Sequence, residues 1–329
     1  MCKHILEWIV SGLIALLLGS FVVLVYKYCG THIANETGAT DYKWLPNQYM
    51  ANAAEGINYM FMDSNGFNNL SSETSKIEIL LMGGSHMEAI QIPTEQNTAS
   101  RLNNLLPDCY TYNIGMSAHQ FINCLGNVKA ALQEYKPKKY VIIHTSDLSI
   151  TLDEINAVAN GTLQEIPSYD SGILYYLQMI PSIKVIYQQC LEKVKKDFTH
   201  NKTVMASATK AEDSGKFLML SSVLAENERL CEDYGCRMIV AYTPEIEINE
   251  AGEMVRYDNK EWVKCVKESC ENNGIIFLDC FDAFLSEYDE YNIVPFGFNN
   301  SKMGKWHLNA DGHRILTSVI ANCIIGEQQ

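Results

Sequence analysis

Two reactive side chains stand in settings that suit catalysis. Residues 80–90 read LLMGGSHMEAI, an apolar run of strand length that enters Gly83-Gly84-Ser85 and then a helix start. The glycines permit a sharp turn and close approach of a substrate, and they leave Ser85 exposed with its N–H directed toward any anion forming nearby. A serine hydroxyl is a poor nucleophile until a base takes its proton, and a loop histidine, with an ordinary pKa of ~6.5, is the usual base at neutral pH. Such a residue is His307, in the segment Lys305-Trp306-His307-Leu308-Asn309-Ala310-Asp311-Gly312-His313, directly before a closing helix. His313 lies inside that helix and reads as structural. Two further turns follow apolar runs: Asn113-Ile114-Gly115-Met116-Ser117, where Gly115 offers a backbone N–H, and His144-Thr145-Ser146-Asp147, where Ser146 offers a hydroxyl and Asp147 steadies the loop. The chemistry indicated is acyl transfer, with Ser85 as nucleophile, His307 as base, and Ser85, Gly115 and Ser146 as oxyanion donors. Taken singly, each segment is equally explained as a turn or a cap.

Other chemistries find less support. The eleven cysteines form no C-x-x-C pair, and the spacing of His307 and His313 is no metal-pair spacing, so no metal is expected. Gly83-Gly84-Ser85-His86 is neither a dinucleotide fingerprint nor a Walker loop, so no cofactor is expected either. With 25 Lys and Arg against 39 Asp and Glu, a formal charge of -14 argues against a nucleic-acid partner.

The elements that must position these residues begin near residue 76. Strand-length apolar runs at 77–82, 110–114, 140–144, 238–242 and 275–279 alternate with amphipathic stretches at 94–106, 120–135, 216–234 and 260–273, and 309–325 adds a closing helix capped by Asn309. This alternation predicts an α/β fold, a three-layer α/β/α sandwich around a mainly parallel five-stranded sheet. Residues 151–214 interrupt the rhythm and read as an insertion containing a helical pair broken at Pro181. Parallel strands bring their carboxyl ends to one edge, which is where ligands bind in open α/β sheets.

Ahead of this domain, residues 1–7 form a short flank, and 8–26 are 19 residues without a formal charge, long enough to cross a bilayer. The run exceeds a signal peptide's usual apolar core and no small-x-small cleavage site follows, so an uncleaved single-pass anchor is expected, with the body on the extracytoplasmic side. Residues 27–75, rich in Asn, Gly, Thr and Ser, read as a stalk; its aromatic residues Tyr42, Trp44, Tyr49, Tyr59 and Phe61 are expected to pack on the domain or on the membrane interface. The cysteines are expected to be mostly buried free thiols. Five N-x-S/T sequons, at Asn35, Asn69, Asn160, Asn201 and Asn299, permit glycosylation in a secretory pathway or arise by chance in an Asn-rich chain.

The four segments, in this order and each at a strand end or helix start, resemble the SGNH (GDSL-like) serine hydrolase family over residues 76–329, the insertion apart. The resemblance implies Ser85 as nucleophile, Gly115 and the Ser146 position as oxyanion donors, and His307 as base; the most specific match is the H-L-N-x-x-G-H ending at 307–313. It departs in three places. The usual G-D-S is Gly83-Gly84-Ser85, the usual G-x-N-D is His144-Thr145-Ser146-Asp147, and the acid usually found two or three residues before the histidine is replaced by Lys305 and Gly304. Either a backbone carbonyl near 303–304 orients the imidazole, leaving a dyad, or an acid arrives from elsewhere. The resemblance further implies a membrane-anchored esterase or O-acyltransferase acting on acylated carbohydrate or another cell-envelope polymer, with a membrane-bound O-acyltransferase as a partner. The alternative is a catalytically silent glycan-binding or assembly subunit.

Overall fold

In the computed structural model, which describes residues 2–26, 30, 32–162 and 210–327, the chain opens with helix α1 (Cys2–Tyr26). Its segment His4–Val22, of mean hydropathy 2.1 and with none of it buried in protein, is long and apolar enough to cross a membrane. Two antiparallel hairpins follow: β1 (His32–Ala34) pairs with β2 (Tyr42–Trp44), and β3 (Tyr49–Asn52) with β4 (Asn58–Phe61).

The expected stalk over 27–75 is not there. Trp44, Met50, Met60, Met62 and Phe67 are buried in the same core as the helices that follow. Polar residues that read as a linker are internal ties. Asn68 donates to the carbonyls of Glu88 and Ala89, Asn69 to that of Asn113, and Asn58 to those of Ile90 and Ile92. Strands of three or four residues are too short to show a period, and buried asparagines bonding to backbone look in sequence like exposed ones. Asn35 of the first sequon is buried too, its amide donating to the Thr40 hydroxyl. Of the aromatic residues, Trp44 is inside while Tyr49, Tyr59 and Phe61 stay on the surface.

The central sheet contains β5 (Ile79–Gly83), β6 (Thr111–Asn113), β7 (Tyr140–Thr145), β8 (Arg237–Tyr242) and β11 (Ile276–Asp279), all parallel, in the order β11-β8-β7-β5-β6. Strands β5, β6 and β7 are buried at every residue, as a sheet covered on both faces requires. Alternation along each strand divides the core in two. Leu80, Met82, Val141, Ile143, Met238 and Val240 face α4 (Phe121–Tyr135), α5 (Leu152–Ala159), α6 (Lys210–Asp233) and α7 (Lys260–Asn272). Ile79, Leu81, Ile142 and Ile239 face α3 (Thr98–Leu105), α8 (Phe281–Tyr291) and α9 (Ala310–Glu327). This is the expected α/β/α sandwich.

Strand order reverses at β5: the chain passes first to β6 on one side and then to β7 on the other, which opens a crevice at the carboxyl end of β5. The hairpin β9 (Ile246–Ile248) and β10 (Met254–Arg256), together with α8, were not anticipated. Nor does the insertion begin where expected. Its first residues form α5, whose Ile155 is buried in the main core, and α6 starts before residue 216; the pair of helices broken at Pro181 lies outside the described residues. The described cysteines Cys109, Cys124, Cys231, Cys236, Cys270 and Cys280 are buried free thiols.

A stalk and an integral segment respond differently to truncation of a large side chain. Phe67 is fully buried, with its ring edge-on to Tyr112 and Tyr135. Phe67→Ala is therefore expected to lower the stability of the whole domain by about 3–5 kcal/mol, read from urea unfolding of the detergent-solubilised chain, whereas a stalk residue would leave the transition unmoved.

Candidate active site

Ser85 stands where β5 ends and the single-turn helix α2 (Ser85–Glu88) begins. The two glycines before it are required by crowding. A Cβ on Gly84 would lie 2.8 Å from the His119 carbonyl oxygen, and one on Gly83 would meet Met87 at 2.7 Å and the His144 carbonyl at 3.0 Å. Any side chain there would push the serine turn off the neighbouring loops.

His307 reaches the same point from the far end of the chain. Its Nε2 lies 2.9 Å from Ser85 Oγ. The backbone holds it from both sides: its carbonyl accepts from Gly297 N–H, and the Leu308 N–H donates to His86 Nδ1 at 3.0 Å. The ending at 307–313 can be read residue by residue. Asn309 Oδ1 caps α9 by accepting from Asp311 and Gly312, while its amide ties to the carbonyls of Val294 and Gly297. A Cβ on Gly312 would stand 2.2 Å from the Pro295 carbonyl. His313, buried, bonds to Thr98 Oγ1 and is structural as expected.

The acid absent from the neighbourhood of His307 is Glu55, in the turn between β3 and β4. Glu55 Oε2 lies 2.5 Å from His307 Nδ1, and Oε1 accepts from the His307 N–H at 3.3 Å. The turn is clamped. Asn52 donates to the Glu55 carbonyl, Gly56 N–H donates to Asn300 Oδ1, and Asn300 donates to the carbonyls of Ala53 and Gly56. Gly56 needs its left-handed φ of 70° and its lack of a side chain, since a Cβ would meet the Gln91 carbonyl at 2.4 Å. A backbone carbonyl from 303–304 is not needed to orient the ring. No signal within the His307 segment points to a residue 252 positions upstream.

Of the two further residues expected as oxyanion donors, Ser146 lies beside Ser85 and Gly115 does not offer a free N–H. Ser146 lines a cavity of about 210 Å3 with Ser85, Ala118 and His144, and Asp147 steadies the loop by accepting the Ser149 N–H. Gly115 does not serve as a free donor: its N–H is spent on Asn113 Oδ1 at 2.8 Å, and it packs beneath α2, where a Cβ would meet Met87 at 2.4 Å. Its absent side chain lets the turn lie under the serine helix. The cavity-lining residue of that turn is Ala118, at φ 63°, whose N–H has no acceptor among the described residues. An alanine in the left-handed region carries no sequence signal.

The surrounding electrostatics keep other groups neutral. His86 has ring neighbours His144 and His307, each at 5.5 Å between centroids, and burial, reinforced by those imidazoles, holds it well below the ordinary histidine pKa. Burial lowers His144, bonded to Thr243 Oγ1, and His313 to about 3 each. Burial raises Glu88 to about 7 against the pull of its bonds from Ser117 and Trp44. His86, His144 and His313 therefore add no positive charge beside the ring of His307 at neutral pH.

No family model and no curated protein matches the chain. Among solved structures it is similar to the psychrotrophic esterase EstA from Pseudoalteromonas sp., at 12% identity over 76% of this chain and 97% of that one, with a TM-score of 0.40. It is similar also to the acetyl xylan esterase AlAXEase, at 12% identity over 75% of this chain and 100% of that one, with a TM-score of 0.40. A member of the lipolytic protein G-D-S-L family from Veillonella parvula gives 11% identity over 75% of this chain and 97% of that one, with a TM-score of 0.39.

Two outcomes follow. Glu55→Gln keeps the shape of the turn but removes the charge that pairs with an imidazolium, so if Ser85 and His307 turn over an ester, kcat is expected to fall by roughly 10³–10⁴-fold with KM little changed. Steady-state kinetics on p-nitrophenyl acetate checks this. The second concerns acid. His86, His144 and His313 have folded pKa values below the unfolded ~6.5, so their contribution to stability is full above that pH and is lost as pH falls below it, for His144 and His313 toward about 3. Glu88, raised to about 7, acts oppositely: its contribution is present below the unfolded value of 4.5 and lost as pH rises through 7. Three protons oppose one, so stability is expected to drop toward pH 5 by up to about 3 kcal/mol per pH unit. Urea midpoints that stay level from pH 7 to pH 5 would contradict it.

Proposed function

We propose that this chain is a membrane-anchored serine esterase or O-acyltransferase that acts on acyl esters of cell-surface carbohydrate through Ser85, His307 and Glu55. The observation that carries the reading is the line of contacts from Ser85 Oγ to His307 Nε2 at 2.9 Å and from His307 Nδ1 to Glu55 Oε2 at 2.5 Å. Ser85 Oγ attacks the ester carbonyl carbon and its proton passes to His307 Nε2, while Glu55 holds the Nδ1 proton and pairs with the imidazolium. The carbonyl electrons move onto oxygen, where the Ser85 and Ala118 N–H groups and the Ser146 hydroxyl stabilise them. On collapse the C–O bond to the leaving alcohol breaks and His307 returns the proton to that alcohol. Water or a sugar hydroxyl then gives its proton to His307 and attacks the acyl-serine carbonyl; the bond from that carbon to Ser85 Oγ breaks, His307 returns the proton to Oγ, and the acid or the new sugar ester leaves.

The surroundings favour a hydroxyl-rich substrate. Ser146 also lines a cavity of about 270 Å3 with Trp306 and Glu245, and another of about 620 Å3 with Tyr242, Arg256, Tyr257 and Trp262. Trp306 and Tyr257 expose 64% and 63% of their surface, and such rings offer platforms to the apolar faces of sugars. Arg256 is bracketed by Asp258 at 2.6 Å and Asp279 at 2.7 Å, so with Asp147 and Glu245 nearby the groove suits neutral glycan better than an anionic polymer. The anchor over α1, an extracytoplasmic body and a membrane-bound O-acyltransferase as partner belong to the same reading. The sequence-based case for a silent subunit rests on a missing acid and on Ser146 in place of the usual Asn; the contact of Glu55 with His307 weighs against the first ground.

A fluorophosphonate probe tests the reading directly. It is expected to add to Ser85 in the full-length chain, with labelling lost in Ser85→Ala and slowed in Glu55→Gln. A folded protein that stays unlabelled, or that labels elsewhere at the parent rate in Ser85→Ala, would remove Ser85 as nucleophile.

A further inference from the structure

Strand β4 alternates as a half-buried strand should, with Asn58 and Met60 turned inward and Ile57, Tyr59 and Phe61 turned outward. Its outer face is nevertheless apolar. Ile57 is 70% exposed, Phe61 64% and Tyr49, on the paired strand, 39%. Tyr49 stacks on Tyr59 at 6.2 Å and meets Phe61 edge-on at 5.1 Å, so the side chains form one patch. Within residues 49–61 the sole formal charge is Glu55, which is turned to His307. A contiguous uncharged aromatic patch on a body of charge -14 marks an interaction surface.

The position of the anchor says what that surface meets. Helix α1 ends at Tyr26, and Gly30 is already buried against the inner side of the same hairpin, where a Cβ would stand 2.3 Å from Met50 Sδ and 2.6 Å from the Trp44 ring. Four peptide steps span at most about 14 Å, so the hairpin cannot be lifted far from the point where α1 leaves the bilayer. Helix α1 also meets β3 itself. Tyrosine and other aromatic residues are the side chains that settle at the headgroup level.

We propose that the outer face of the β3–β4 hairpin, formed by Tyr49, Ile57, Tyr59 and Phe61, rests in the interfacial layer of the membrane that α1 enters, so that the turn carrying Glu55 is held at the lipid surface. The inference rests on the reading of α1 as a membrane anchor. It gives the active site a fixed height: substrate reaches Ser85 from the membrane surface, not from a cleft raised on a stalk.

The test uses the full chain in nanodiscs of phosphatidylcholine containing a phosphatidylcholine with a diazirine on the first carbons of one acyl chain, followed by irradiation, digestion and mass spectrometry. Lipid adducts are expected on α1 and on the peptide holding residues 49–61. In Tyr49→Ser/Phe61→Ser the hairpin adducts should fall several-fold, with the α1 adducts and hydrolysis of a soluble ester unchanged. Adducts confined to α1 in the parent overturn this inference and leave the anchor standing. Absence of adducts from α1 overturns the anchor itself. Irradiation that instead joins two copies through the hairpin would show that a second chain covers the patch, and would also overturn the proposal.

Discussion

The site depends on one constraint: the His307 imidazole must be held at both nitrogens at once. Nε2 needs the hydroxyl of Ser85 and Nδ1 needs a carboxylate, and the two partners, Ser85 and Glu55, stand 222 and 252 positions before the ring that they hold. Ser85 is fixed by the end of β5, His307 by the approach to α9, and Glu55 by the β3–β4 turn. Much of the remaining architecture can be read as the means of bringing these three backbones within bonding distance. The reversal of strand order at β5 opens the crevice, the pairing of Phe296 with Leu308 brings the last loop across it, and Asn300 clasps the hairpin turn to that loop.

The part of this arrangement legible in the sequence was the part governed by periodicity. Each strand of the central sheet and the helices α4, α7 and α9 lie within a few residues of their expected bounds, because long apolar runs and amphipathic stretches report burial directly. Ser85 and His307 were legible because turn glycines and a helix cap flank them. Glu55 was not. Its neighbours are Asn, Ala and Gly, and nothing local distinguishes a turn carboxylate in solvent from one aimed at an imidazole. Gly115 misled for the opposite reason: a glycine after a strand fits an oxyanion donor and a packing contact equally well, and only the distance to Met87 separates them.

A second tie, on the other side of Ser85, binds the same N-terminal segment to the turn at Ser117 and Ala118. Glu88, at the end of the serine helix, accepts from Trp44 Nε1 at 2.7 Å and from Ser117 Oγ, and Tyr42 Oη donates to the Ser117 carbonyl. The turn that carries Ala118 is therefore braced by Tyr42 and Trp44 as the base is braced by Glu55. A buried carboxyl with no cation beside it costs stability when ionised, and the donors around it limit that cost while fixing the geometry of α2.

These two ties change what residues 30–75 are for. Where the usual acid would stand, Gly304 adopts a left-handed φ of 77°, and Trp306 follows at φ 69°, a conformation that a bulky residue holds only when its surroundings impose it. Gly304 brings no carboxylate to the ring, whose acidic partner comes from the β3–β4 turn. With its carboxylate partner on the β3–β4 hairpin, an ordered His307 ring requires that the N-terminal segment be docked on the body. Ser85 and His307 alone then form an incomplete arrangement, and the β3–β4 hairpin completes it with Glu55.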